Sequence, residues 1–137
     1  MAYEFTGFFA RPSVSQPVPL PQGAVWREIA NPFAGVGVRL PHDEDRLLAP
    51  LEAENLARQL GLDVADCWVY LTYVCWGGGI DFVYGLGSRH GVPFGPVNED
   101  AREAVEAAYT DLMEQFGVPA TVALQFEPFQ RGYWGEA

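Results

Sequence analysis

Between Cys67 and Leu86 the chain reads CWVYLTYVCWGGGIDFVYGL, with Asp81 its single ionised side chain. Two runs rich in β-branched and aromatic residues flank Gly77-Gly78-Gly79. Glycines supply the positive φ that a tight turn demands, so the pattern predicts a central β-hairpin. Side chains alternate along a strand. Trp68, Tyr70, Thr72, Val74 and Trp76 therefore share one face, and Cys67, Val69, Leu71, Tyr73 and Cys75 share the other. Both faces are apolar, and a sheet apolar on both faces has to be covered on both. A loop of the three glycines sets Trp76 opposite Ile80, Val74 opposite Phe82 and Thr72 opposite Tyr84. It also places Ile80, Phe82, Tyr84 and Leu86 on the Trp68 face, because one residue more or less in the loop would reverse the second strand.

Around the hairpin the remaining elements follow from local chemistry. Residues 3–10 read as a short aromatic strand. Pro12, Pro17, Pro19 and Pro21 make residues 12–23 an extended arm, since proline fixes φ and removes a donor. Residues 24–30 and 36–40 are strands separated by the turn Asn31-Pro32-Phe33-Ala34-Gly35. Pro50 suits the first turn of a helix, Ala53, Leu56, Ala57 and Leu60 recur at helical spacing, and Gly61 stops it. Residues 85–97 read as a Gly/Pro loop. Asn98 caps a second helix, with Ala101, Val105, Ala108, Tyr109, Leu112 and Phe116 inward and Gly117 at its end. Residues 120–126 read as a last strand, and the tail keeps Phe129, Tyr133 and Trp134.

From Val36 onward the order is strand, helix, strand, strand, helix, strand, the split-βαβ or ferredoxin-like pattern. The expectation is an α+β fold, an antiparallel sheet with two helices on one face, preceded by an N-terminal two-strand extension and a Pro-rich arm. Residues 1–137 are expected to form a single domain, with 1–30 as strands and arm, 31–127 as the βαββαβ core and 128–137 as an aromatic tail. Helices on one face leave the other bare. The N-terminal strands and the arm, a ligand or a second copy must then cover it, which is the ground for expecting a homodimer.

Eight basic residues, all arginine, stand against 18 acidic ones, a net charge of −10. Phosphate binding needs a positive patch, so nucleic acid is excluded as a partner, and a basic protein partner is favoured. The opening MAYEFTGFFARP has no basic region followed by a long apolar run. No segment approaches the ~18 apolar residues of a membrane span. Cys67 and Cys75 lie on one strand, roughly 26 Å apart, too far to pair. These features predict a cytoplasmic protein with reduced thiols and no membrane contact.

Ser88, Arg89 and His90 cluster in the expected Gly85–Gly91 loop, where glycines let a backbone approach a ligand closely. Asp81, the lone acid of the hairpin, and Trp76 beside it complete the candidate ligand-binding set. Asp81 reads as exposed or bonded to the turn. A pairing of Cys75 with His90 as nucleophile and base has no sequence signature behind it. His42-Asp43-Glu44-Asp45 has metal-ligand residue types without the spacing of a known site, and no cofactor is implied. The expected function is that of a small acidic, non-catalytic protein-interaction module of the inhibitor, antitoxin or immunity type. The alternative is a small-molecule-binding protein or enzyme with a pocket on the sheet face near the Gly85–Gly91 loop. A deep apolar pocket with converging polar groups would favour the alternative, and a flat acidic face the first reading.

Overall fold

The computed structural model describes residues 2–76, 79–130 and 132–135. It is an α+β fold built on one six-stranded antiparallel sheet in the order β2-β3-β1-β4-β5-β6. The strands are β1 (Ala2–Arg11), β2 (Val25–Ile29), β3 (Gly35–Arg39), β4 (Cys67–Trp76), β5 (Gly79–Arg89) and β6 (Val92–Glu99). Helix α1 (Pro50–Gln59) lies between β3 and β4, while α2 (Val105–Phe116) and the single turn α3 (Ala120–Ala123) follow β6. A 3-10 turn at Glu127–Phe129 opens the tail.

This order is not the ferredoxin-like one. The N-terminal strand is no extension: β1 pairs with β4 along its whole length, Ala2 opposite Trp76 through Arg11 opposite Cys67, and with β3 on its other side. Since β3 and β4 are both antiparallel to β1, they run parallel to each other, and α1 makes the crossover between them.

The helices sit on opposite faces of the sheet, not on one. Val105, Tyr109, Leu112 and Phe116 of α2 pack with Phe5, Phe9, Val69 and Leu71 on one side. Ala53 and Ala57 of α1, with Leu60, pack with Phe8, Val38, Tyr70 and Leu86 on the other. The parity of β4 is as the sequence predicts, Cys67, Val69, Leu71 and Tyr73 facing α2 and Trp68 and Tyr70 facing α1. Val14 and Leu20 of the proline arm pack against the α1 side. The Tyr70 and Tyr84 hydroxyls donate to the carbonyls of Arg46 and Leu48 at 2.7 and 2.6 Å, pinning the segment that leads into α1. The face expected to be left bare by the helices is thus covered by α1 and the proline arm.

Two further expectations are corrected. Residues 85–97 are not a loop but the β5–β6 hairpin, turning at His90 and Gly91 with φ of 51° and 81°. Two consecutive positive φ values are what a two-residue turn between twisted strands requires. Pro93 and Pro96 misled the reading because proline is tolerated on an edge strand, and β6 is an edge. Asn98 and Glu99 therefore end β6 instead of starting α2. Glu99 still serves the helix approach, its Oε2 accepting the Asp100 and Ala101 N–H groups at 3.2 and 3.1 Å. With the sixth sheet position filled, residues 120–126 form no strand. After Pro119 they coil into α3, where the Ala123 carbonyl accepts the buried Tyr109 hydroxyl at 2.7 Å and Phe126 enters the core.

The tail closes the α2 side. Trp134 is buried, and its indole N–H donates to the Pro128 carbonyl at 2.8 Å. Its ring lies 5.7 Å from Phe5 and 6.3 Å from Phe9. Gly37 leaves that space open: a Cβ there would lie 2.6 Å from the Trp134 ring. Truncating either side chain removes apolar contacts the sheet cannot replace. Leu71→Ala is expected to cost about 2–5 kcal/mol and Trp134→Ala about 3–5 kcal/mol in urea melts. A loss under about 1 kcal/mol for Trp134→Ala would show that the tail does not seal the sheet.

Candidate functional site

The feature that shapes the surface is a bulge at the open end of the central hairpin. Val74 faces Phe82 and Thr72 faces Tyr84, as the three-glycine loop predicts, but Cys75 faces Ile80 and Trp76 faces Gly79. Gly77 and Gly78 lie outside the described residues. Asp81 is the extra residue of β5, and its Oδ2 accepts the Trp76 backbone N–H at 2.6 Å. An extra residue on one strand reverses the side chains beyond it. Ile80 consequently leaves the Trp68 face, where the sequence put it, and packs with Cys75 on the α2 side.

Below this bulge lies a half-open groove of about 790 Å³ between the β4–β5 end, the start of α2 and Leu124. Tyr73, Cys75, Ile80 and Tyr109 give it an apolar lining. Asp81, Asp100 and Glu106 stand against Arg102 around it, three acids to one base. Trp76 and Leu124, 62% and 50% exposed, are left unburied at its borders. A second hollow of about 440 Å³ shares Tyr73, Cys75 and Leu124 with the groove and carries on to Tyr3, Phe126 and Phe129.

The buried groups beside it are held neutral. Burial pushes the Tyr73 phenol up, with Cys75 adding to the shift, and burial pushes Tyr109 up likewise. On the same side burial raises the Cys67 thiol, which donates to the Phe116 carbonyl at 3.2 Å, and on the opposite side of the sheet burial raises Tyr70. Both cysteines are free thiols.

The five residues singled out from sequence do not converge. Trp76 and Asp81 line the groove. Ser88, Arg89 and His90 lie at the far end of β5, roughly 26 Å from Asp81 at strand spacing. There His90 Nδ1 sits 3.0 Å from Asp66 Oδ1, and its N–H donates to the Asp66 carbonyl at 2.7 Å, a turn contact at the surface. Cys75 and His90 are likewise at opposite ends of the hairpin. His42 belongs to another network, its Nδ1 3.1 Å from the buried Thr6 hydroxyl, which in turn lies 3.0 Å from that of Thr72. No group of three His, Cys, Asp or Glu side chains among the described residues is arranged to hold a metal. Among the described residues no helix is long and apolar enough to cross a membrane.

Sequence reasoning missed Asp100, Arg102, Glu106 and Leu124 as groove residues. In the sequence Asp100 reads as part of the start of the second helix and Glu106 as part of its water face, and Leu124 falls in the strand expected over residues 120–126. The usable signal was Asp81 itself, a charge in an apolar hairpin beside an odd glycine turn, the mark of a bulge. No family model, curated protein or solved structure matches the chain.

Two outcomes test this description. Cys67, Tyr70, Tyr73, Tyr84 and Tyr109 all hold their protons more tightly folded than their ordinary values of 9.0 and 10.0. Their contribution to stability is full below pH 9.0 and is lost as pH rises past 10.0, when the unfolded chain ionises first. Urea midpoints should therefore hold from neutral pH to the thiol range and then drop steeply, and a flat profile would contradict the burial of these phenols. Alkylation of the native protein should modify Cys75 well before the buried Cys67, with mass spectrometry of timed samples reading the order.

Proposed function

We propose that the protein is a non-catalytic interaction module that holds a basic segment of a partner protein in the groove below the β4–β5 bulge. The observation that carries this reading is the combination of three carboxylates against one arginine with an apolar floor and two exposed apolar borders. A cationic segment is drawn to such a site by the charge of −10 over the whole chain and by the acids of the groove. Arginine and lysine stems gain from lying along apolar surface while their heads meet carboxylates, and Trp76 offers an exposed ring face for a cation. An inhibitor, antitoxin or immunity role is the kind of activity such a module performs, and a homodimer formed away from the groove is compatible with it.

The alternative reading, a small-molecule pocket near residues 85–91, has less behind it. Those residues form a tight hairpin, and the two hollows described above open at the other end of β5. The test is titration of isotope-labelled protein with an arginine-rich peptide. Chemical-shift changes should centre on the Trp76 indole, Ile80, Asp100 and Glu106, and leave Ser88, Arg89 and His90 still. Asp100→Asn with Glu106→Gln should weaken binding about tenfold, and the affinity of the unmodified protein should fall as salt shortens the Debye length below ~8 Å. Shifts confined to the His90 turn, or spread evenly over the acidic surface, would overturn the assignment.

A further inference from the structure

The groove has a polarity that a purely basic ligand would not use. Its charged end lies at Asp81, Asp100 and Glu106, and its other end passes Leu124 into a hollow bounded by Tyr3, Phe126 and Phe129. Tyr73, Cys75 and Leu124 belong to both, so the two hollows are contiguous. Among the described residues no acid or base lines the second hollow; their polar side-chain groups there are the amides of Gln125 and Gln130, the Cys75 thiol and the phenols of Tyr3 and Tyr73. The Tyr3 hydroxyl already donates to the Pro128 carbonyl at 2.9 Å, so this ring presents carbon to the space.

We infer that the segment this groove takes is bipartite: an arginine or lysine at the Asp81 end and, a few residues along, a large apolar side chain seated past Leu124. The inference rests on the basic-segment reading above and adds an order and a second anchor to it. Charge complementarity fixes which end takes the cation, because among the described residues the lining carboxylates are confined to the first hollow. The same confinement fixes where the apolar anchor goes, because an aromatic-walled space without charges offers a cation nothing in exchange for its hydration. Leu124, half-exposed between them, is the ridge over which the segment passes.

The test uses short capped peptides in which arginine is followed by phenylalanine after one, two or three alanines. Two controls replace phenylalanine by alanine or arginine by the neutral citrulline. Calorimetry or fluorescence anisotropy gives the affinities. At the best spacing the bipartite peptide should bind roughly tenfold or more tighter than either control. Leu124→Ser, a change at an exposed site, should erase most of the gain from phenylalanine and weaken the arginine-only peptide far less. Asp100→Asn with Glu106→Gln should do the reverse. If phenylalanine adds nothing at any spacing while arginine peptides still bind the groove, the bipartite inference falls and the basic-groove reading stands. If no arginine peptide binds there, that reading falls first. If arginine amide or phenylalanine amide alone binds as tightly as the linked peptide, the site takes a small molecule and both are overturned.

Discussion

The pairing of β1 with β4 is the constraint from which the rest of the molecule follows. It is ten residues long in unbroken register, and residues 5–10 of one strand and 67–74 of the other are buried throughout. Phe5, Phe9, Val69 and Leu71 point one way, and Phe8, Ala10, Trp68 and Tyr70 the other. Two such strands cannot stand at a surface. They need neighbours on both edges and layers on both faces, and the chain supplies each in turn: β3 and β5 beside them, α1 with the proline arm over one face, α2 with the tail over the other. The buried hydroxyls of this pair, Thr6 and Thr72, lie within hydrogen-bond distance of each other, and Thr6 also of His42, while the Trp68 indole N–H is buried without a partner.

The groove is a by-product of how that pairing ends. Beyond Val74 the β4–β5 ladder runs out of register by one residue, and Asp81 is held in place by the Trp76 N–H. This turns Ile80 toward α2 and leaves Trp76 without a layer above it. On the other side α2 cannot begin until Val105, because residues 92–99 are committed to the edge strand. Asp100, between the edge strand and the helix, and Glu106, in the first turn of α2, are thereby brought to the bulge. Neither wall was built by a ligand-binding motif, yet together they hold charge and apolar surface side by side, the combination that lets a cationic side chain bury its stem and keep its head paired.

Much of the fold was legible from residue order. The parity of β4, the Val74–Phe82 and Thr72–Tyr84 pairs, and the start and stop of α1 at Pro50 and Gly61 all follow from local rules, and all stand in the structure. The misreadings have a common cause. Pro93, Pro96 and the glycines of residues 85–97 spoke for a loop, and Thr121 and Val122 for a strand; in each case position in the sheet overrode propensity. An edge tolerates proline, and residues 120–126 follow Pro119 into a helical turn whose Ala123, with Phe126 after it, packs in the core on the α2 side.

The sequence by itself determined that the centre is a two-faced apolar hairpin, that both faces must be sealed, that Asp81 sits in a special position, and that the surface is acidic. These depend on side-chain type and on spacing within one element, which the chain order carries directly. Only the tertiary structure decided that β1 is central, that the helices lie on opposite faces, and that Trp76 and Asp81 share a groove with Asp100, Glu106 and Leu124 while Ser88, Arg89 and His90 stand at the far end of the sheet. Those facts depend on which strand finds which edge. That choice is made by the packing of elements distant in sequence, since a site assembled from several such elements is fixed by the sheet order and not by any local pattern.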